Sequence, residues 1–206
     1  MIDYRLYLVT DDPSRYSGNW LDNVIAAVEG GVTAVQYRDT ESAGEVRLAR
    51  ARALQDALRP RRIPLIVNND VRLAAAVAAE GVHVGQSDMP VAEVRKLVGP
   101  RCEIGLSITA AGQTDAGADL LGIGPVFDAR KTKADASAAM GLDGLRSRLA
   151  EHRLPSVAIG GITCVNAAEV LATGVGGIAV VSVISQAEDP YATARSLSLL
   201  FDDRRQ

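Results

Sequence analysis

Aromatic side chains are scarce in this 206-residue chain, 4% of it, with one Trp, five Tyr and two Phe. A core must then be filled by small and aliphatic residues, which suits helices packed closely on buried strands better than a β-sandwich. Cysteine is limited to Cys102 and Cys164. They form no close-spaced motif and read as two buried thiols in a reducing compartment, which excludes a disulfide scaffold. Histidine occurs only twice, too thinly for a histidine metal site or a Cys/His constellation. Charge of either sign is not in excess: 22 Lys and Arg face 25 Asp and Glu, a net of −3. Nothing in that balance calls for nucleic acid or an acidic membrane as a partner. No apolar run approaches the roughly 18 residues of a membrane span. The opening MIDYR carries charges where a signal peptide would be turning apolar. A cytoplasmic protein is the expectation.

What remains is a chain with 48% hydrophobic and 23% charged residues, ordinary for a globular protein and long enough for one domain over 1–206 with a full core. Eight β-rich runs are predicted: Arg5–Thr10, Thr33–Arg38, Pro64–Asn68, Val82–Gly85, Glu103–Ser107, Leu120–Gly124, Ser156–Gly160 and Ile178–Ser182. Most are short and continuously apolar, as in a parallel sheet covered on both faces. Between and after them, apolar residues at spacings of three and four predict helices. These are Leu21–Glu29, Gly44–Leu58, Val71–Ala79, Val91–Val98, Ala110–Ala116, Leu142–His152, Cys164–Ala172 and Pro190–Phe201. Pro90 and Pro190 stand at helix starts, and Gly30, Gly99 and Gly174 at helix ends. Eight βα units in one rhythm close naturally into a (β/α)8 TIM barrel, although length alone also admits a doubly wound open sheet.

In such a barrel, chemistry sits in the loops after the strands. After the second strand, Gln36 and Arg38 would carry an amide and a guanidinium fork to the mouth, suited to phosphate oxygens; a surface ion pair of Arg38 with a neighbouring acid is the alternative. After the third, Asn68, Asn69 and Asp70 could meet substrate or a hard cation, or Asn69 or Asp70 could cap the next helix. After the fourth, Asp88 is a candidate Mg²⁺ ligand beside a diphosphate, and otherwise a cap. His83 reads as a strand residue packed in or near the barrel. The run Asp128–Asp135 reads as a phosphate-gripping flap or as a solvated charge run. Gly160-Gly161 after the seventh strand and Val181-Ser182 after the eighth have the form of a barrel phosphate cradle.

In order, the segments YLVTD, VQYRD, VNND, GVHVGQSDMP, IGLS, GIGPVF with TKAD, VAIGGIT and VVSVISQAEDP resemble the thiamine-phosphate synthase family over nearly the whole chain. The resemblance implies an enzyme, a transferase that joins 4-amino-2-methyl-5-(diphosphooxymethyl)pyrimidine to a thiazole phosphate with help from Mg²⁺. By the same resemblance, Gln36, Tyr37, Arg38, Asp39, Thr40 and Asn68 would contact the pyrimidine diphosphate. Ser107 would touch the pyrimidine, and Lys133 would neutralise diphosphate. Arg38, Ser107 and Lys133 would thus be the catalytic set, and Asn69 and Asp88 the metal ligands. Lys131, Thr132, Gly160, Gly161, Val181 and Ser182 would hold the thiazole phosphate. The partners implied are these small phosphorylated substrates, and a homo-oligomer stays open.

This chain departs from the family pattern at Thr40, where Lys is usual, and at Asn69, where Asp is usual. Ile108-Thr109 stands where a His-Thr or similar pair is common, and Asp128–Lys131 lacks the usual Thr-Pro-Thr form. The thiazole-phosphate cradle keeps the pattern. Loss of a Lys and an Asp also fits a thiazole tautomerase of the same fold, or a non-catalytic paralogue that binds a thiazole phosphate.

Overall fold

The computed structural model describes residues 1–129 and 138–202. Eight strands, β1 (Leu6–Val9), β2 (Ala34–Tyr37), β3 (Leu65–Asn68), β4 (Gly81–Val84), β5 (Glu103–Ile108), β6 (Leu120–Ile123), β7 (Ser156–Ile159) and β8 (Gly177–Val180), pair in parallel with their sequence neighbours. The barrel closes where β1 pairs with β8, with Leu6 opposite Ile178 and Leu8 opposite Val180. The open-sheet alternative is thereby set aside.

Period-two alternation sorts each strand's side chains between two apolar compartments. Leu6, Leu8, Val35, Leu65, Val67, Val82, Ile104, Leu121 and Ile178 belong to the larger one, between strands and helices. Tyr7, Val9, Ala34, Ile66, Leu120, Val157 and Ala179 form a separate cluster inside the barrel. Because both faces are buried, the strands read as unbroken apolar runs rather than alternating ones. This parity decides the site as well. A strand continued past its last paired residue sends alternate side chains into the mouth.

The outer layer holds α1 (Trp20–Glu29), α2 (Gly44–Leu58), α3 (Val71–Ala76), α4 (Val91–Val98), α5 (Gly141–Glu151), α6 (Ala167–Leu171) and α8 (Pro190–Asp202). A one-turn helix, α7 (Ser182–Ser185), interrupts the connection after β8. Helix starts follow local chemistry: the Asn19 side chain accepts from the Leu21 and Asp22 amides to cap α1, and Asp70 accepts from Leu73 to cap α3.

Three expectations need correction. The segment Ala110–Ala116 is not a helix. The Gln113 carbonyl takes the amides of Thr109 (2.7 Å) and Ala110 (3.0 Å), and Gly112 and Ala116 turn left-handed. Side-chain bonds to the backbone have outcompeted a weak helical pattern. The helix expected over Cys164–Ala172 begins only at Ala167, because Asn166 bonds the Thr163 amide and the Gly161 carbonyl and so holds the loop. Of the two thiols only Cys102 is buried, its pKa pushed up to about 11 by burial; Cys164 is exposed.

Asp119, just before β6, fastens the outer layer to the sheet. Its Oδ2 accepts from the buried Ile104 amide at 2.8 Å and from the Arg95 guanidinium of α4. Asp119→Ala leaves both donors without that acceptor and should lower stability by about 1–2 kcal/mol, discounted for partial exposure. Glu93→Ala, which removes an exposed pair with Lys96, should stay within about 0.5 kcal/mol. Urea unfolding of both variants checks this; equal midpoints would contradict the assignment.

Candidate active site

The carboxyl ends of the strands surround a cavity of about 700 Å³. Its two sides differ in chemistry. From β2 to β5 the wall is polar: Gln36, Arg38, Thr40, Asn68, Asn69, His83, Asp88, Ser107 and Thr109 all reach it. From β6 round to β1 the wall is apolar below, with Val9, Val157, Ile159 and Ala179, and is rimmed above by Gly160, Gly161, Val181 and Ser182.

Strand parity divides the β2 segment. Gln36, Arg38 and Thr40 line the cavity, whereas Tyr37 and Asp39 do not. Those two lie under α2, where the Tyr37 hydroxyl donates to Asp39 at 2.9 Å and Arg50 and the Ser42 amide each reach the same carboxylate at 3.0 Å. Burial alone would raise the pKa of Asp39, but the bonds from Ser42, Tyr37 and Arg50 hold it below the ordinary carboxylate value. Asp39 is thus paired with Arg50, and the Arg38 side chain makes no ion pair among the described residues. The neighbouring acid Asp39 is therefore not the surface partner that the alternative reading of Arg38 would need.

After β3, Asn69 takes a left-handed conformation (φ 57°), its amide donating to the His83 carbonyl at 2.8 Å. The turn separates two neighbours by role. Asn69 reaches the cavity, while Asp70 caps α3 and stands 4.0 Å from Arg47. After β4, Asp88 is not a helix cap; its Oδ2 accepts from the Gly85 amide at 2.7 Å and closes the loop beside the cavity. Asn69 and Asp88 therefore share one wall. Among the described residues, no cluster of three His, Cys, Asp or Glu could hold a metal alone. One carboxylate and one amide can still hold a hard divalent cation that brings further oxygens with its ligand.

Three polar contacts order the floor. Gln36 Nε2 donates to the Tyr7 hydroxyl at 2.7 Å, His83 Nε2 lies 3.0 Å from Ser107 Oγ, and Gln86 donates to the Ser107 carbonyl at 3.0 Å. Tyr7 was not singled out in the sequence, whereas His83, read there as packed in or near the barrel, does lie inside it and also reaches the cavity. Their signal was parity, since both lie an even number of positions before the end of an inward-facing series.

At the opposite rim, Gly160 and Gly161 have φ of 102° and 64°, a region that favours glycine. The loop after β6 lies on them: an added Cβ would fall 2.5 Å from Pro125 Cβ at position 160 and 2.7 Å from Phe127 Cβ at position 161. Among the described residues, the backbone amides of Gly161 and Ser182 donate to no acceptor. Buried Asp11 steadies the second of these, its carboxylate accepting from Ser185 of α7 at 3.2 Å. Free amides on a fixed backbone suit phosphate oxygens. Lys131 and Thr132, also expected at this rim, and Lys133, expected at the diphosphate, lie outside the described residues.

Known proteins resemble this chain in sequence and in fold. Residues 6–184 match the family model for thiamine monophosphate synthase. The thiamine-phosphate synthase of Laribacter hongkongensis is 48% identical, with 97% of this chain and 96% of that protein aligned. That of Chloroflexus aurantiacus is 45% identical, over 97% and 94%. Among solved structures, the thiamine phosphate pyrophosphorylase of Pyrococcus furiosus superposes with a TM-score of 0.87 at 34% identity, covering 98% of this chain and 96% of that one. The 3-hexulose-6-phosphate synthase of Salmonella typhimurium, at 17% identity and a TM-score of 0.71 over 97% and 99%, shares the fold alone. A closed barrel with this two-sided mouth and relatives aligned nearly end to end lead to one conclusion: the chain belongs to the thiamine monophosphate synthase family.

Proposed function

We propose that this transferase makes thiamine phosphate by joining 4-amino-2-methyl-5-(diphosphooxymethyl)pyrimidine to a thiazole phosphate, with release of diphosphate. The observation that carries the reading is the division of one cavity into a polar wall and a glycine-rimmed wall. Each suits one of two phosphorylated partners, and both open on the same space. A tautomerase or a thiazole-phosphate binder would use the glycine rim but would leave Arg38, Asn68, Asp88 and Ser107 without a task.

On this reading, Gln36, Arg38, Thr40 and Asn68 receive the pyrimidine diphosphate, Arg38 facing its oxygens and Ser107 touching the pyrimidine. Gly160, Gly161, Val181 and Ser182 take the thiazole phosphate. Lys131 and Thr132 would join the thiazole side, and Lys133 would face diphosphate. Asn69 and Asp88 would hold Mg²⁺, which offsets charge on the departing diphosphate. The pyrimidine methylene–oxygen bond breaks and the electron pair leaves with diphosphate. The thiazole nitrogen lone pair then forms the new carbon–nitrogen bond. No proton transfer limits this sequence, so the chain needs to hold two rings in line and meet developing charge. The cytoplasm goes with this reading, since phosphorylated intermediates do not cross membranes unaided.

Thiamine phosphate formation from the two substrates should appear with Mg²⁺ and vanish with chelator or in Asp88→Ala. Persistent product in the chelated enzyme would sink the metal assignment; no product under any condition would sink the synthase reading. With only one carboxylate at the metal, wild type should need millimolar rather than micromolar Mg²⁺. Asn69→Asp should lower half-saturating Mg²⁺ by about tenfold, in line with one added charge-assisted contact. A parallel gain is expected at the diphosphate. Thr40→Lys supplies a cation worth about 1.5–3 kcal/mol, hence roughly a ten- to hundredfold rise in kcat/KM. An unchanged or lower kcat/KM in Thr40→Lys would show that position 40 lies outside the diphosphate's reach.

A further inference from the structure

We infer that His83 is a positioning residue, which acts by fixing the Ser107 hydroxyl against the pyrimidine substrate. The inference rests on the synthase reading and adds a residue to it. His83 is buried in the barrel interior, 8% exposed, and its Nε2 lies 3.0 Å from Ser107 Oγ. The two strands stand side by side, His83 opposite Gly105 and Ser107 opposite Gly122.

Both of those opposing residues lack a side chain, and the imidazole occupies the space this leaves. A Cβ at position 105 would fall 2.3 Å from His83 Nδ1, and one at position 122 would fall 2.9 Å from Cε1 and 3.2 Å from Nε2. The ring therefore lies across β5 and β6 in a slot that only glycine at both positions leaves open. A flat side chain wedged this way has little freedom about its χ angles. Ser107 is held from its backbone side too, by the bond from Gln86 to its carbonyl.

A serine hydroxyl alone is a free rotor, able to turn its hydrogen or lone pairs in several directions. A fixed ring nitrogen at hydrogen-bond distance limits that choice before the ligand arrives, which is how a preorganised contact gains over a flexible one. The role assigned to the imidazole requires no contact with a reacting atom. Its effect passes through Ser107.

The test is steady-state synthesis with Mg²⁺ present, for wild type, His83→Ala, Ser107→Ala, the double variant and His83→Gln. Loss of one such hydrogen bond corresponds to about a tenfold fall in kcat/KM for the pyrimidine diphosphate. Each single variant should show a fall of that order, and the double variant no more than the larger of the two. His83→Gln, which returns a nitrogen at a similar reach, should recover most of the loss. KM for thiazole phosphate, bound at the far wall, should not move in any of them.

Independent, multiplying losses in the double variant would overturn the inference, as would a His83→Ala enzyme with wild-type kinetics. A thiazole KM that rises together with the other losses would also overturn it, because it would mean a general collapse of the pocket. If His83→Ala does not fold, Gly122→Ala probes the same contact by pressing the ring away from Ser107. It should lower kcat/KM in the wild-type background and leave Ser107→Ala unaffected; an equal loss in both backgrounds would overturn the inference. Wild type that forms no thiamine phosphate would sink the synthase reading itself, whereas active wild type with multiplying losses would sink only the role of His83.

Discussion

Everything in this molecule depends on the hydrogen-bonded pairing of β1 with β8. Closure turns an eight-strand ribbon into a surface with an inside and an outside. Each strand residue is then committed to one or the other by its parity. One compartment takes the aliphatic face that the helices cover, and the other a smaller interior column. At the carboxyl ends, the interior series passes from apolar to polar: Ile66 gives way to Asn68, and Gly105 to Ser107. The cavity is thus the upper part of the core, with its chemistry changed.

The two walls solve different electrostatic problems. On the β2–β5 side, fixed side chains supply a guanidinium, amides and one carboxylate, a mixture suited to an anion accompanied by a cation. On the β7–β8 side the chain offers backbone amides instead, and close approach by the β6 loop leaves no room for a Cβ at Gly160 or Gly161. A ligand at the first wall is met by groups that can be exchanged one at a time. A ligand at the second is met by backbone, so a substitution there must disturb the loop packing as well.

Much of the architecture was legible because burial on both faces writes itself as short apolar runs separated by helical periods. The eight strands fall within a residue or two of the positions read from those runs, and helices such as Gly44–Leu58 and Val91–Val98 coincide with theirs. The segment after β5 was not legible. Its small residues fit a helical pattern, yet Gln113 turns back on Thr109 and Ala110, a local competition that periodicity does not register. The site was legible by residue type more than by direction. Arg38, Asn68, Asn69, Asp88 and Ser107 were recognisable as mouth residues and do meet at one cavity. Tyr37 and Asp39, adjacent in sequence to Gln36 and Arg38, were carried along with them although parity sends them beneath α2.

By itself, then, the sequence determined the number and order of elements, the class of fold and the kinds of group at the mouth. Those properties follow from local periodicity and from the residues at each strand's end. Only the tertiary structure decided which distant side chains meet: Tyr7 with Gln36, and His83 with Ser107 across two vacant glycine positions. The physical reason is that these relations run across strands separated by many residues. Register and closure set their distances, and no local pattern along the chain contains them.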